Sequence, residues 1–187
     1  MTDYSIEELV GAAQVIETTL NQHNIKHLFT GGLVASFYGE PRLTQDVDIV
    51  AAMTGGQLNN LLESLKTEFF FNKEVILAEF PKSKIFQVIH KKTMVKIDFH
   101  LENDISEMLR HSVKNELLIG LNVSFTSRSD AIISKLNWIK KGSHKSRKDV
   151  RMMFCMANKT EQDKITQLVE QKNLKELFNE VLTEEID

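Results

Sequence analysis

The chain has 187 residues, of which 42% are hydrophobic and 26% are charged, and these values are ordinary for a globular protein. Lys and Arg number 23 against 26 Asp and Glu, and the resulting net charge of −3 argues against a protein that coats nucleic acid. No run of about 18 apolar residues is present, so we expect no membrane partner. The N-terminal segment is acidic, which predicts that there is no signal peptide. The single cysteine, Cys155, lies in an apolar run and is expected to be buried, and a cytoplasmic location follows.

The chain up to Thr126 predicts a mixed α/β (α+β) core. Ser5 and Glu8 have the spacing of a capping box and open the first helix. The elements predicted next are a helix over Ser5–Asn21, a strand over Lys26–Thr30, a helix over Leu33–Tyr38, a strand over Gln45–Ala51 and a helix over Gly55–Leu65. They are followed by strands over Glu74–Phe80, Lys84–His90 and Met94–His100, a short helix over Ile105–His111 and a hairpin over Asn115–Phe125.

From Ser127 onward the pattern is helical, so we predict a core over residues 1–126 and a helical region over 127–187 that packs on it. Ser127 or Ser129 would cap the first of these helices, and Ser143 or Ser146 the next. An apolar stripe along the first helix must be buried, and Gly142 ends that helix. The further helices are predicted over Ser146–Ala157, Thr160–Lys172 and Asn173–Thr183.

The strand over Gln45–Ala51 alternates strictly, so Asp46 and Asp48 project from the same face. Two neighbouring carboxylates repel each other, and a divalent cation removes that cost. Mg²⁺ prefers oxygen ligands and shares its coordination shell with substrate phosphates. By itself an Asp-x-Asp pair is more often a solvated strand end.

Two glycines strengthen the metal and phosphate interpretation. Gly31 and Gly32 lie between a strand and a helix, where a backbone without Cβ can approach a phosphate beside a helix N-terminus. Arg42 and Thr44 then precede the aspartates in Arg-x-Thr-x-Asp-x-Asp. Arg42 would offer a forked donor to phosphate, or else form a surface salt bridge.

Asp98 is the best candidate for a third carboxylate. It alternates with Lys96 and His100 on one face of its strand, and these neighbours are expected to lower its pKa. The alternative is an edge strand with a polar outer face. We interpret His100 as a surface histidine and leave it out of the catalytic set.

With these motifs the chain resembles the nucleotidyltransferase fold of the DNA polymerase beta superfamily. Within that superfamily it is similar to the small branch that includes AbiEii-like toxin nucleotidyltransferases and aminoglycoside nucleotidyltransferases. The resemblance implies a twisted mixed β-sheet flanked by helices and transfer of a nucleoside monophosphate from an NTP to an acceptor hydroxyl, with release of pyrophosphate. It also implies Mg²⁺ (or Mn²⁺) as cofactor.

The resemblance assigns roles by position. Gly31, Gly32, Arg42, Thr44 and Lys135 would bind the nucleotide. The residues that would hold the metal and carry catalysis are Asp46, Asp48 and Asp98. Asp149 fits a carboxylate of the toxin-like members only loosely, because it follows Lys148 rather than an arginine.

Three functional hypotheses remain open from the sequence. The first is an active transferase that modifies an RNA end, a protein or a small molecule. The second is a non-catalytic module that binds nucleotide or a partner, and the third is a toxin–antitoxin component. The stretch from Arg128 to Arg151 is rich in basic residues, which indicates either a solvated helical face or a surface that meets RNA phosphates.

Overall fold

A computed structural model describes residues 5–42 and 44–184. The start of the acidic N-terminal segment, at residues 1–4, and Leu43 within the Arg-x-Thr motif lie outside the described residues, as do residues 185–187. The helices are α1 (Ile6–Gln22), α2 (Gly31–Tyr38), α3 (Gly55–Leu65), α4 (Lys73–Glu79), α5 (Ser106–His111), α6 (Arg128–Lys140), α7 (Lys145–Cys155), α8 (Lys159–Gln171) and α9 (Lys175–Thr183). The strands are β1 (Lys26–Thr30), β2 (Asp46–Ala52), β3 (Phe69–Phe70), β4 (Ile85–His90), β5 (Lys96–Leu101), β6 (Val113–Leu118) and β7 (Leu121–Phe125).

The strands form one mixed sheet in the order β3-β4-β5-β2-β1-β7-β6. Strand β2 runs parallel to β5 on one side and antiparallel to β1 on the other. Strand β1 in turn meets β7 in parallel. This mixed sheet flanked by helices is the predicted fold class, and the prediction is confirmed.

Alternation along β2 divides the two faces of the sheet. Val47, Ile49 and Ala51 are fully buried on the apolar face, where α1 and α3 contribute to the same core. Asp46, Asp48 and Val50 point to the opposite face, and there Val50 packs with Leu28 of β1 and Ile105 before α5. The polar end of this second face is where the candidate site lies.

The helical part of the chain begins at α6. Ser127 Oγ accepts a hydrogen bond from the N–H of Asp130 and caps α6, and Gly142 follows the helix at a φ of +95°. The predicted boundary at residue 126 falls between β7 and α6, yet the hydrophobic core continues from the sheet into helices α6 to α9. No helix among the described residues has both the length and the apolar character needed to cross a membrane.

Some local predictions are wrong. The segment predicted as a strand over Glu74–Phe80 is helix α4, which Asn72 Oδ1 caps by accepting from the N–H of Val75. A short apolar run without clear periodicity fits either structure, and here the capping side chain decides. The two-residue strand β3, which pairs with β4, was not predicted at all.

Two further corrections concern helix α7. Its N-cap is His144, without a side-chain cap, because Ser146 is buried inside the helix and bonds the hydroxyl of Ser143 at 2.9 Å. Cys155 was expected to be buried but is exposed, since it ends the helix while Met153 fills the core position.

Candidate active site

The turn from β1 into α2 brings backbone against a carboxylate. Gly31 has a φ of +71°, and a Cβ built on it would lie 1.8 Å from Asp48 Oδ2. The next residue, Gly32, donates its backbone N–H to the same oxygen at 3.3 Å. Only glycine fits at residue 31, because both the backbone conformation and the space beside it exclude a side chain.

The strand registers align the polar residues at one level of the sheet. Asp48 pairs with Thr30 of β1 on one side and with Asp98 of β5 on the other. Asp46 lies two residues earlier on the same face, and its Oδ1 accepts a hydrogen bond of 2.6 Å from Thr44 Oγ1. The registers therefore bring the strands of the three predicted carboxylates together.

His100 is a site residue that the sequence analysis missed. Its Nε2 lies 3.2 Å from Asp48 Oδ1, and its side chain is 25% exposed. Burial alone would raise the pKa of Asp48, but the His100 hydrogen bond and charge and the Gly32 N–H hold it below the usual value. Alternation along the strand predicted the face on which His100 lies. Its contact with Asp48 depends on the register between β2 and β5, which alternation does not specify.

The pKa of Asp98 is raised rather than lowered, so the expected direction is wrong, although the charge of His100 does act to lower it. Burial raises the pKa of Asp98, and the charges of Asp48 and Asp46 raise it further, while a hydrogen bond from Gln87 offsets only part of this. Gln87 Nε2 donates to Asp98 Oδ1 at 2.5 Å from the adjacent strand β4. His100 is bonded to Asp48 instead, so it contributes less to Asp98.

We tested whether these residues fit the divalent cation that the resemblance implies. In the described part of the chain, no three or more His, Cys, Asp or Glu side chains form a ready-made metal site. Mg²⁺, however, is usually bound by one or two carboxylates plus water and substrate phosphates. Asp46 and Asp48 supply such oxygens on one face, and strand register places Asp98 directly beside Asp48. The donor set fits Mg²⁺ or Mn²⁺.

Two cationic side chains, those of Arg42 and Lys135, meet at the carboxylate of Asp149. Arg42 donates from Nε and from a terminal nitrogen to the two Asp149 oxygens, both at 3.0 Å, and Lys135 Nζ lies 2.9 Å from Oδ2. Burial would raise the pKa of Asp149, but the Arg42 hydrogen bonds and the Lys135 charge hold it below the usual value. Arg42 therefore forms an ion pair, and this pair joins the loop before β2 to α6 and α7.

A groove with a cavity volume of about 1580 Å³ is lined by residues of both groups. Its lining includes all the predicted nucleotide-binding residues, Gly31, Gly32, Arg42, Thr44 and Lys135, together with Asp46 and Asp48. Asp98 is not among the described residues that line it, because its side chain is turned toward Gln87. The structure thus gathers the predicted residues at one groove and places Asp98 at its margin.

No family model matches the chain, and no curated protein is detectably similar in sequence. Solved structures do resemble it. Antibiotic-resistance factor ANT(2'')-Ia, known from a solution structure, has a TM-score of 0.62 at 11% identity over 94% of this chain and 98% of its own. A nucleotidyltransferase-like antigenic protein from Paracoccidioides brasiliensis has a TM-score of 0.54 at 18% identity, covering 98% and 96%. The lincosamide antibiotic adenylyltransferase LnuA, bound to lincomycin, has a TM-score of 0.54 at 9% identity, covering 83% and 99%.

At these identities the likeness establishes the fold and leaves the chemistry to be argued from the side chains. The chain has the nucleotidyltransferase fold over nearly its whole length, including the helical region. This confirms the fold expected from the Gly-Gly turn and the Asp-x-Asp strand.

Proposed function

We propose that the protein is a metal-dependent nucleotidyltransferase that transfers a nucleoside monophosphate from an NTP to an acceptor hydroxyl. The observation that carries the proposal is the contact between the Gly31–Gly32 turn and Asp48. A helix N-terminus that attracts phosphate lies within hydrogen-bond distance of a carboxylate that repels it. The two can serve the same ligand only if a cation lies between the phosphate and the carboxylate.

Each residue of the groove then has a role. The N–H of Gly31 would hold the triphosphate, with Thr44 nearby, and the N–H of Gly32 would join it if Asp48 turned from this N–H to a cation. Arg42, whose terminal nitrogen would lie 3.5 Å from a Cβ built on Gly32, and Lys135 would supply cationic donors to the triphosphate. The residues that would hold Mg²⁺ or Mn²⁺ are Asp46 and Asp48, joined by Asp98. When bound, the cation supplies positive charge that stabilises the charge developing on the phosphate oxygens.

The reaction has a simple atom balance. The acceptor hydroxyl oxygen forms a bond to the α-phosphorus, and the bond from that phosphorus to the bridging oxygen of pyrophosphate breaks. The hydroxyl proton passes to the Asp98 carboxylate and then to water. His100 keeps Asp48 ionised and oriented while this happens.

Calorimetry with each NTP, with Mg²⁺ or with a chelator, tests the first half of the proposal. We expect binding that is at least about tenfold tighter with the metal, since the carboxylates otherwise repel the triphosphate. Equal affinity under both conditions would rule out a metal-bridged site. Pyrophosphate release in the presence of RNA, protein and small-molecule fractions then tests transfer.

A nucleotide-binding module without catalysis is the second candidate. It is favoured by the position of Asp98, which is hydrogen-bonded to Gln87 at the margin of the groove. Metal-dependent NTP binding with no pyrophosphate release, whatever acceptor fraction is added, would select this candidate.

The finer resemblance, to the AbiEii-like toxin branch, is supported by the ion pair between Lys135, which lines the groove, and the buried Asp149. Membership of a toxin–antitoxin pair predicts that expression arrests growth and that a neighbouring gene relieves the arrest. A cytoplasmic location is supported by the free, exposed thiol of Cys155, which suits a reducing compartment.

A further inference from the structure

Strand β6 forms one edge of the sheet, and its outer side is open. It pairs with β7 on one side and has no strand on the other among the described residues. Three successive residues of β6, Lys114, Asn115 and Glu116, are exposed. The outer edge of such a strand presents N–H and C=O groups with which another strand can form hydrogen bonds.

The length of β6 also suits pairing. At the other end of the sheet the outermost strand, β3, consists of only Phe69 and Phe70, and a very short edge strand is one of the ways in which proteins prevent two sheets from joining. Strand β6 has six residues, with a bulge between Glu116 and Leu118. Regular pairing along its outer edge is therefore confined to the segment before the bulge.

The charges of that segment are complementary to themselves. Lys114 and Glu116 carry opposite charges and flank Asn115. If two copies of β6 pair antiparallel with Asn115 opposite Asn115, Lys114 of each copy faces Glu116 of the other. Opposite charges directly across an antiparallel pair stabilise it, and like charges destabilise it. An in-register parallel pairing would place like charges side by side, so the charges select the antiparallel, two-fold arrangement.

Both charged side chains are available for such a contact. The side chain of Lys114 has no hydrogen-bond or ion-pair partner among the described residues, although its positive charge also acts on Glu17. Glu116 Oε1 accepts a hydrogen bond of 2.9 Å from the N–H of Gly120, which orients the carboxylate and leaves Oε2 for a partner. A lysine can thus approach Glu116 without breaking a contact of the single chain.

Apolar side chains extend the same contact beyond the bulge. Ile119, in the turn between β6 and β7, is 88% exposed, and Leu118 before it is half-buried. Because the bulge adds one residue to the strand, the antiparallel register places Leu118 of one copy beside Val113 of the other. Val113 is also half-buried, and Ile119 lies next to this pair. The two-fold axis repeats the apolar contact at the other end of the joined strands.

We propose that β6 is the surface on which a second copy of this chain binds, through its own β6 and about a two-fold axis at Asn115. The two sheets then become one continuous sheet. The paired segment is short, so the interface belongs to the small, weak class that buries less than about 1,200 Å². This inference goes beyond the proposed nucleotidyl transfer and does not depend on it.

The arrangement also determines where the two candidate sites lie. The residues aligned across the core face of the sheet are Ile49, Phe29, Phe125 and Val113. Alternation then places Lys114 and Glu116 on the opposite face, which is the face of Asp48. A two-fold axis perpendicular to the sheet leaves each face on its own side, so both grooves lie on the same face of the dimer.

Sedimentation velocity of the full chain over a range of concentrations tests the proposal. We expect a monomer–dimer equilibrium with a Kd on the order of 100 µM, as for other small interfaces. Lys114→Glu should raise the Kd by at least about tenfold, because both attractive cross-strand pairs become repulsive. Glu116→Lys should have a similar effect for the same reason.

Mixing the two variants gives the sharpest measurement. In a mixed dimer, the two negative side chains of Lys114→Glu face the two positive side chains of Glu116→Lys. We therefore expect the mixture to form a heterodimer with a Kd within about threefold of the wild type, although each variant alone is monomeric at the same concentration. Circular dichroism of each variant verifies its fold, and Lys114→Glu alone remains a test if Glu116→Lys does not fold.

Two further variants distinguish the proposed surface from a general effect of charge. Lys92→Glu makes the same change at an exposed lysine in the turn between β4 and β5, away from the β6 edge, and should leave the Kd within about twofold of the wild type. Ile119→Ser should raise the Kd by about threefold to tenfold, because it removes apolar contact and no charge.

Several outcomes would overturn the proposal. A wild-type chain that stays monomeric at all concentrations is the first, and dimerisation of Lys114→Glu with the wild-type Kd is the second. Failure of two folded variants to associate when mixed would exclude the antiparallel register. A loss in Lys92→Glu as large as that in Lys114→Glu would assign the association to net charge rather than to β6. None of these results bears on NTP binding, which is measured separately.

Discussion

The two sides of the groove are built in different ways. The carboxylate side rests on β2 and β5, where alternate residues are buried in the core and the strands are hydrogen-bonded in register. The cation side is assembled from a loop and two helices, and these converge on Asp149. The sheet fixes its functional groups through backbone pairing, while the helical side fixes them through one buried carboxylate.

This difference predicts what a substitution on each side of the groove should do. On the sheet side, a substitution should alter chemistry and leave the neighbouring groups in place. On the helical side, loss of Asp149 should release two cations at once, because Arg42 and Lys135 depend on the same partner.

The largest effect is expected from Asp48→Asn on the sheet side. Asn keeps the shape of the side chain but removes the charge that would hold the metal, so transfer should fall by roughly 10³-fold. Asp46→Asn should behave in the same way. Pyrophosphate release measured under saturating Mg²⁺ checks this, and wild-type rates in either variant would remove these carboxylates from the catalytic set.

Gly31→Ala should come next. The new Cβ would collide with Asp48 at 1.8 Å, and the backbone has a φ of +71°. We expect a loss of about 1–3 kcal/mol in unfolding free energy and a fall in transfer of about 10²-fold from the displaced carboxylate.

Gly11→Ala is the control for Gly31→Ala, measured by urea unfolding. Gly11 lies in α1, and a Cβ added there would meet no atom within 4 Å, so alanine should stabilise by about 0.5–1 kcal/mol. Equal effects at the two glycines would mean that the contact with Asp48 does not constrain the turn.

On the helical side, Asp149→Asn should weaken NTP binding about tenfold and lower stability by about 2 kcal/mol, because two cations lose a buried partner. The pKa of Asp149 is lowered in the folded protein, so its contribution is present above the ordinary carboxyl pKa and is lost as pH falls through the folded value. Thermal unfolding across that range, with calorimetry of NTP binding, measures both effects.

Lys148→Gln provides the matched control for Asp149→Asn. Lys148 lies one residue earlier and pairs with Glu40 at 2.7 Å, so it links the same loop to the same helix, but both side chains are about half exposed. We expect Lys148→Gln to lower the free energy of unfolding by less than about 0.5 kcal/mol, because an exposed ion pair contributes little. A loss as large as that of Asp149→Asn would show that the link between the two segments matters rather than the shared carboxylate.

The smallest expected effect concerns the melting temperatures of Asp98→Asn and Asp48→Asn without metal, which should shift in opposite directions. The pKa of Asp98 is raised, so its ionised form is disfavoured by folding, and Asp98→Asn should raise the melting temperature by a few degrees at neutral pH. The gain should vanish as pH falls below the ordinary carboxyl pKa, where Asp98 is protonated in both states. Asp48→Asn should lower the melting temperature at neutral pH, because His100 loses its partner. Calorimetry with chelator present compares them, and shifts of the same sign would contradict the assigned interactions.

Local patterns predicted the sheet side well. Alternation placed Asp46 and Asp48 on one face, and the change of strand into helix indicated the Gly31–Gly32 turn. Each of these depends on residues close together in the chain. The alternation of side chains along a strand can be recognised from the sequence of that strand alone, without knowing which strand pairs with it.

Contacts between distant residues account for what the sequence did not predict. Arg42 and Asp149 are 107 residues apart, and no pattern near either one indicates the pair. The direction of the Asp98 pKa shift was wrong because burial, and the charges of Asp48 and Asp46 that strand register brings close to it, outweigh the charge of His100. Helix α4 was missed because its short apolar run suits a strand equally well.

The central place of β2 in the sheet has a consequence for the order in which the molecule loses structure. Its backbone is hydrogen-bonded on both edges, to β1 and to β5, so its amides should exchange with solvent only when the sheet opens. The outer helices α8 and α9 belong to no such ladder and should open more readily. A molecule that has lost only these helices would still hold Asp46 and Asp48 in place on the sheet.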